Sequence, residues 1–581
     1  MMVLGSVAAF ATEPDSDAGA GLDTGTEVST STGKTITLSG GKAGHTYTLY
    51  QIFTGDVETP TADHPANTVL TNIQWGTDAP AAYKAQHDTA AAAAEAAEGG
   101  DARAWAQALG LTGNGSKQVT LSADGNVVFD SLAEGYYVIL DTNNNENPVE
   151  GDYSSAIIVA VVDDVTGNIK GSATTSEKKV ADNNDTESIQ TDLSNLQNTD
   201  WQDSADYDIG DYVPFKLTAT LADNISSYAK YHVTFQDKQG PGLATPTEWT
   251  VTVLGKTFTL NATTQTETET TDKGTKITVA KDTADTDYAF AITVTLEQND
   301  PTIVNEEITS YLNAESNNQA VVVTYQSQLT GADVVIGKDG NPNEMYVKYS
   351  NNPEDKTGGE EGKTKTDKVI VFTYKTVVDK IDETGAALDG ATFVLYKEVA
   401  TGTEGAETGT NIKKDWNTAI KTAAAALADA KSYVAVTANV TGEKNNRFTF
   451  KGIDDGTYVL VETAVPAGYN PWTAQQFVVA AEHDADSEDP KLTKLTGAGL
   501  FAPDTLDANA GWVGTVEITK KDTTKYTTSE DEMFGEIENN SGATLPETGG
   551  IGTTIFYIAG SIMVLAAAIL LITKRRMGSN D

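Results

Sequence analysis

The 581-residue sequence contains no cysteine, so no disulfide can staple its domains. Histidine is scarce. His45, His64, His87, His232 and His483 are scattered, and no two stand at metal-ligand spacing. H-E-x-x-H, P-loop and G-x-S-x-G motifs are missing, and acidic pairs such as Asp454-Asp455 have no EF-hand loop around them. With neither a thiol nor a histidine cluster, catalysis on an external substrate is not expected, nor is a metal or other cofactor. Positive charge is also short: 39 Lys and Arg face 83 Asp and Glu, a net charge of −44. That balance argues against nucleic acid and anionic membranes as partners and for a solvated, self-repelling surface. Long apolar runs are lacking apart from one. Residues 551–573 form 23 positions without a charge, enough to cross a bilayer as a helix.

What surrounds that run is informative. Lys574, Arg575 and Arg576 open the tail 574–581. A basic cluster after an apolar span stays in the cytoplasm, which puts the preceding chain outside. Just before the span stands Leu545-Pro546-Glu547-Thr548-Gly549. At the other end, residues 1–11 are apolar and finish in Ala9-Phe10-Ala11, an A-x-A pattern. They read as the remnant of a signal peptide without its basic start.

The exported part, roughly 530 residues, suggests three or four domains. Thr, Val, Asp, Asn and Gly recur throughout, favouring short strands joined by polar turns. Glu248–Leu254, Ala289–Leu296, Ala320–Tyr325 and Met345–Tyr349 are predicted strands, and Asp339-Gly340 is a hairpin turn signal. The expected class is all-β: tandem Ig-like β-sandwiches with short helical insertions at Ala81–Glu98 and Asp415–Ala430, plus a C-terminal transmembrane helix. Repeated features divide the chain at 30–172, 173–352 and 368–540, with a Gly-, Glu- and Lys-rich linker at 353–367.

Alternation in a strand puts residues i, i+2 and i+4 on one face. Tyr458, Leu460 and Glu462 share a face, as do Val233, Phe235 and Asp237. Lys178 shares one with Val180, and Lys380 with Val378. Amides behave alike: Val347, Tyr349 and Asn351 form one row, and Ile537 pairs with Asn539. Singly, each charged residue at a strand end reads as solvent-facing. But lysine, acid and asparagine recur in that order in two domains. Buried together, desolvation favours the neutral amine and the protonated acid. A neutral amine is a nucleophile. Its attack on the asparagine amide expels ammonia and leaves a Lys–Asn isopeptide bond, a crosslink suited to a chain without cysteine.

At these residues the chain resembles the major, shaft-forming pilins of Gram-positive bacteria. Val378-Asp379-Lys380-Ile381-Asp382, Leu388-Asp389-Gly390-Ala391-Thr392-Phe393, the E-box-like Tyr458-Val459-Leu460-Val461-Glu462-Thr463 and Ile537-Glu538-Asn539 are similar to the Cna protein B-type domain. The resemblance implies a Lys380–Asn539 bond with Glu462 as catalytic acid. Glu177-Lys178-Lys179-Val180, Asp208-Ile209-Gly210-Asp211, Phe235-Gln236-Asp237 and Tyr349-Ser350-Asn351-Asn352-Pro353 are similar to the pilin domain that uses an aspartate. It implies a Lys178–Asn351 bond with Asp237 catalytic, Lys179 being the alternative amine. The first domain carries Tyr47-Thr48-Leu49-Tyr50-Gln51-Ile52-Phe53, and its Tyr136-Tyr137-Val138-Ile139-Leu140-Asp141 has aspartate where the E-box has glutamate. No bond is expected there.

Leu545 to Gly549 resembles the sortase recognition motif. This implies cleavage between Thr548 and Gly549 and transfer of the Thr548 carbonyl to an amine. Lys170, in Asn168-Ile169-Lys170 just before the second domain, is the acceptor such a pilin would use. The implied partners are a class C and a housekeeping sortase, further copies of the chain head to tail, companion minor pilins, and a ligand on the host surface or in its extracellular matrix. The implied location is the cell wall, reached through a membrane-spanning intermediate. A monomeric wall-anchored adhesin is the alternative, and a surface enzyme the weakest reading.

Overall fold

The computed structural model describes residues 33–58, 69–98, 105, 108–145, 148–169, 173–182, 196, 200–222, 225, 228–297, 321–353, 358–441, 444–498, 500, 517–528 and 532–542. Lys170, the motif 545–549, the apolar run 551–573, the tail 574–581 and residues 1–11 lie outside the described residues. Among the described residues no helix is long and apolar enough to cross a membrane.

Three β-sandwiches follow one another. In the first, Lys34–Gly41 lies between Gly125–Leu132 and Val165–Asn168. This sheet faces one in which His45–Glu58 lies between Val69–Trp75 and Gly135–Asn143, with Ala156–Val161 beyond. Ile36, Leu38, Tyr47, Leu49, Val127 and Phe129 fill the space between them. The helical insertion packs on the outer side through Tyr83, Ala90, Ala93 and Ala94. It is two helices, Ala81–Lys84 and Ala90–Glu98, rather than one. The break comes where Thr89 Oγ1 accepts from Ala92 N at 3.1 Å, because a side-chain cap starts a new helix.

The middle sandwich has two larger sheets. Trp201–Gln202, Ser176–Ala181, Tyr212–Ala219, Val321–Gln328, Glu248–Val253 and Lys256–Asn261 form one in that order. Ser204–Asp206, Asp367–Phe372, Asn341–Ser350, Lys230–Gln239, Phe290–Glu297, Lys276–Asp282 and Thr266–Thr270 form the other, with Glu361–Lys363 also on Asn341–Ser350. The four predicted strands of this domain are present. Asp339-Gly340 does form a turn, yet it joins strands of opposite sheets and not a hairpin. The expected linker 353–367 is also corrected. Glu361–Lys363 and Asp367–Phe372 are strands of a middle-domain sheet, since Asn343 pairs with Val369 and Val369 and Val371 fill the middle core, while Ile370 and Phe372 on the other face pack into the core of the third domain. The boundary falls at Thr373.

The third sandwich begins at once with Tyr374–Asp382, set between Arg447–Ile453 and, in parallel, Glu532–Asn539. Opposite lies the sheet Glu407–Thr408, Ser432–Thr437, Thr392–Val399, Gly456–Ala464, Gln475–His483, Leu492–Ala498. Of the expected helix Asp415–Ala430 only Thr418–Ala423 is helical, capped by Asn417 Oδ1 on Ile420 N at 3.0 Å, and a separate short helix, Gly409–Ile412, precedes it. The long path from Glu462 to Asn539 is taken up by the Gln475–His483/Leu492–Ala498 hairpin and by Glu517–Thr519 paired with Lys525–Thr527. The tip of the first hairpin reaches back to the middle domain: Asp203 N donates to Ala485 O at 2.9 Å, and Ser487 N to Asp203 Oδ2 at 2.8 Å.

Candidate functional site

Lys178 and Asp237 come from opposite sheets of the middle domain, and both are fully buried. The alternation explains why. Lys178 takes the inward position beside Val180, and Asp237 ends the inward row Val233, Phe235. Lys178 Nζ donates to Asp237 Oδ2 and to Tyr325 Oη, the latter at 3.0 Å. Tyr325 Oη donates to Asp237 Oδ2 at 2.8 Å and accepts from Asn343 Nδ2 at 2.9 Å. The rings of Phe215 and Tyr325 flank the amine, their centroids 5.4 and 5.6 Å from it. In this apolar box, burial pushes the Lys178 amine below its ordinary value and the Asp237 carboxyl above its own. Asp237 Oδ1 and Asn343 Oδ1 are buried without a hydrogen bond. Lys179, on the other face, pairs with Asp203 at 2.7 Å.

Asn351 does not join this group, so the Lys178–Asn351 pairing is overturned. Asp237 is opposite Met345 in the ladder, and six residues at about 3.3 Å each put Asn351 roughly 20 Å away. Its row was read correctly as inward, but its inward end faces the first domain. There Asn351 Nδ2 donates to Asp152 Oδ2 at 3.1 Å. The amide beside Lys178 is Asn343, two residues before Met345 on the same buried face. The alternating row, extended backwards, contains it.

In the third domain, Lys380 and Asn539 lie on parallel neighbouring strands, Lys380 opposite Ile537. Glu462 comes from the facing sheet. Asn539 Nδ2 donates to Glu462 Oε1 at 2.8 Å and to Oε2 at 3.1 Å, and Trp472 N donates to Oε2 at 2.7 Å. Lys380 Nζ donates to Ile381 O at 2.8 Å and Ile537 O at 3.1 Å. All three side chains are buried. Burial lowers the Lys380 amine to about 8 and raises the Glu462 carboxyl. Asn539 Oδ1 accepts no hydrogen bond.

The first domain has a different constellation, which the sequence reading missed. Asp141 faces a histidine: His45 Nδ1 is 2.7 Å from Asp141 Oδ1, and His45 Nε2 is 2.8 Å from Asp152 Oδ1. Burial opposes charge on His45, yet the two carboxylates outweigh it and hold its pKa at about 9. Burial lifts Asp141 to about 6. Asp152 also accepts from Asn143 Nδ2 at 2.7 Å, and its carbonyl accepts from Tyr349 Oη at 2.9 Å. The visible signal was His45 two residues before Tyr47 on one strand face.

Residues 374–491 match the family described as a prealbumin-like fold domain, and residues 537–577 match the LPXTG cell wall anchor motif. The chain is a cell-wall-anchored surface protein. Over 282 residues this anchored chain is 26% identical to the trypsin-resistant surface T6 protein of Streptococcus pyogenes serotype M6, covering 42% of the chain and 46% of that protein. The chain thus spans about half the length of the curated relative it matches. Among solved structures it is similar to the T6 backbone pilin of S. pyogenes, with 15% identity, a TM-score of 0.45, and 88% of this chain and 99% of that one covered. It is also similar to the major pilin SpaD of Corynebacterium diphtheriae, with 15% identity, a TM-score of 0.39, and coverage of 88% and 98%.

Proposed function

We propose that this chain is the structural subunit of a sortase-assembled pilus, anchored to a Gram-positive cell wall and supporting adhesion. In this reading its middle and C-terminal domains each close an autocatalytic Lys–Asn isopeptide bond. The observation that carries it is the recurrence, in consecutive domains of an LPXTG-anchored chain, of a buried lysine, a buried acid with a raised pKa and a buried amide.

In the middle domain Lys178 is the amine, Asn343 the amide and Asp237 the acid. In the third the roles fall to Lys380, Asn539 and Glu462. The neutral amine attacks the asparagine Cγ. The protonated acid hydrogen-bonds the amide oxygen, steadies the tetrahedral intermediate, and carries a proton from the attacking to the leaving nitrogen. The C–Nδ2 bond breaks, and each bond formed releases one ammonia. The orphaned oxygens of Asn343 and Asn539 are acceptors for such a proton donor.

Polymerisation follows from the anchor. A class C sortase cuts after Thr548 and joins its carbonyl to Lys170 of the next copy, and the housekeeping enzyme passes the finished fibre to peptidoglycan. Companion pilins and a host ligand are partners consistent with the same reading. Boiled, detergent-treated wall extracts should give an immunoreactive high-mass ladder that collapses in Lys170→Ala. A single discrete band would instead favour the monomeric adhesin. A ladder that survives Lys170→Ala would move the acceptor elsewhere.

A further inference from the structure

The joint between the middle and third domains holds another lysine–acid group. Lys397 Nζ, on Thr392–Val399 of the third domain, is 2.7 Å from Asp208 Oδ2 of the middle domain and also bonds Asp454 Oδ1. Asp454 is fully buried, Lys397 nearly so. Tyr458 Oη donates to Asp454, 3.2 Å from Oδ1. Asp454 N donates to Asp208 Oδ1 at 3.1 Å, and Ile209 N to Gly452 O at 3.0 Å, so backbone from both domains fixes the group. Asp211 stands close by, its ligand atoms within 4.8 Å of those of Asp208 and Asp454.

This arrangement repeats the one around Lys178. There a lysine bonds a fully buried aspartate, a tyrosine hydroxyl donates to that aspartate, and an amide waits as electrophile. Here Lys397, Asp454 and Tyr458 take the first three places, and the Asp208 carboxyl takes the place of Asn343. We propose that Lys397 and Asp208 condense into an interdomain isopeptide bond, with Asp454 relaying the protons.

A carboxyl oxygen at hydrogen-bond distance brings its carbon to about 3–3.5 Å from the amine, a near-attack separation. Burial and the neighbouring Asp208 raise the Asp454 carboxyl well above its ordinary range, which suits it to hold a proton. Lys397 differs from Lys178 in one respect. Burial opposes its charge, but with the proton on Asp454 the Asp208 carboxylate 2.7 Å away still favours the ammonium. The step is therefore ammonium plus carboxylate. Asp454 gives its proton to the Asp208 carboxyl and takes one from Lys397. The freed amine attacks Asp208 Cγ, and the C–O bond breaks. A second nitrogen proton leaves with that oxygen as water, so no net proton or co-reactant is needed.

The chemistry is kin to that of the intradomain bonds, but the residues and the leaving group are different, so each can fail separately. Intact mass of the denatured, complete exported chain should show one water lost in addition to the ammonia losses. In a tryptic digest, peptide 180–216 should be joined to the peptide spanning Lys397, with no cleavage after Lys397. Asp454→Asn, which keeps the shape but not the relay, should abolish the water loss and restore cleavage. Asp208→Asn should give the same bond with ammonia in place of water. Full cleavage after Lys397 in the wild-type chain, with no water lost, would overturn the proposal and leave an ionic clamp.

Discussion

Asn343 and Asn351 share a buried strand face and differ in what that face meets. Asn343 sits beside the Lys178 amine, whereas Asn351 reaches Asp152 of the first domain. The two substitutions should therefore separate. Asn343→Ala should restore one ammonia to the intact mass and cost about 2–5 kcal/mol, the range for losing a covalent staple. Asn351→Ala should leave the ammonia deficit relative to its own sequence mass unchanged and loosen only the contact with the first domain. A smaller deficit in Asn351→Ala alone would reverse the assignment. Alternation put Asn351 in the inward row of Val347 and Tyr349, a row that extends back to Asn343, but alternation is silent about position along the row. That needs strand register, here Asp237 opposite Met345, which only the assembled sheet supplies. His45 gives a second residue-scale expectation. Its pKa rises from 6.5 to about 9 on folding, so its stabilisation is complete below about 6.5 and lost as pH rises through 9. Asp141, raised from 3.8 to about 6, acts with the same sign at lower pH. The melting midpoint of the first domain should fall between pH 6 and pH 9.5, by an amount worth at most about 3 kcal/mol. His45→Gln should flatten that slope, and an unchanged slope would remove His45 from the explanation.

Strands were legible, their interruptions less so. Glu248–Val253, Phe290–Glu297 and Val321–Gln328 lie within a residue or a few of their predicted bounds because period-two burial is strong there. The first predicted helix is split at the Thr89 cap, and the second is shortened to Thr418–Ala423, which starts at the Asn417 cap. The linker failed for another reason: the composition of 353–367 is polar, but Asp367–Phe372 beyond it carries the apolar row that fills the sheet. Gly452 is where two elements from different domains meet. It has φ +75°, and a Cβ there would lie 2.4 Å from Ile209 Cδ1. Gly452→Val should cost about 1–3 kcal/mol through backbone strain. Calorimetry should then show the transition of the third domain moving away from that of the middle domain. A single, unshifted transition would mean that the joint tolerates the side chain.

At the scale of the molecule, three sandwiches run into one another with little slack. The first inserts Asp152 under Tyr349 and Asn351, and the third returns its Gln475–His483/Leu492–Ala498 hairpin onto Asp203. The all-β class could be read from turn spacing and composition, whereas these returns could not, because they join residues far apart in sequence. A chain without cysteine thus sets buried lysine–acid groups both in its cores and at the joint of its middle and third domains.

One feature of the third sandwich has a mechanical meaning. The strand that enters it, Tyr374–Asp382, runs parallel to the strand that leaves it, Glu532–Asn539. With a Lys380–Asn539 bond closed, a pull on the two ends travels through six residues, crosses the bond and exits. Everything from Ile381 to Glu538 carries no tension. A closed Lys178–Asn343 bond would shield most of the middle domain in the same way. In a single-molecule stretching experiment, the wild-type chain should therefore give little extension from these two domains. Glu462→Ala should release one long step, the contour length of the segment that the bond had kept slack.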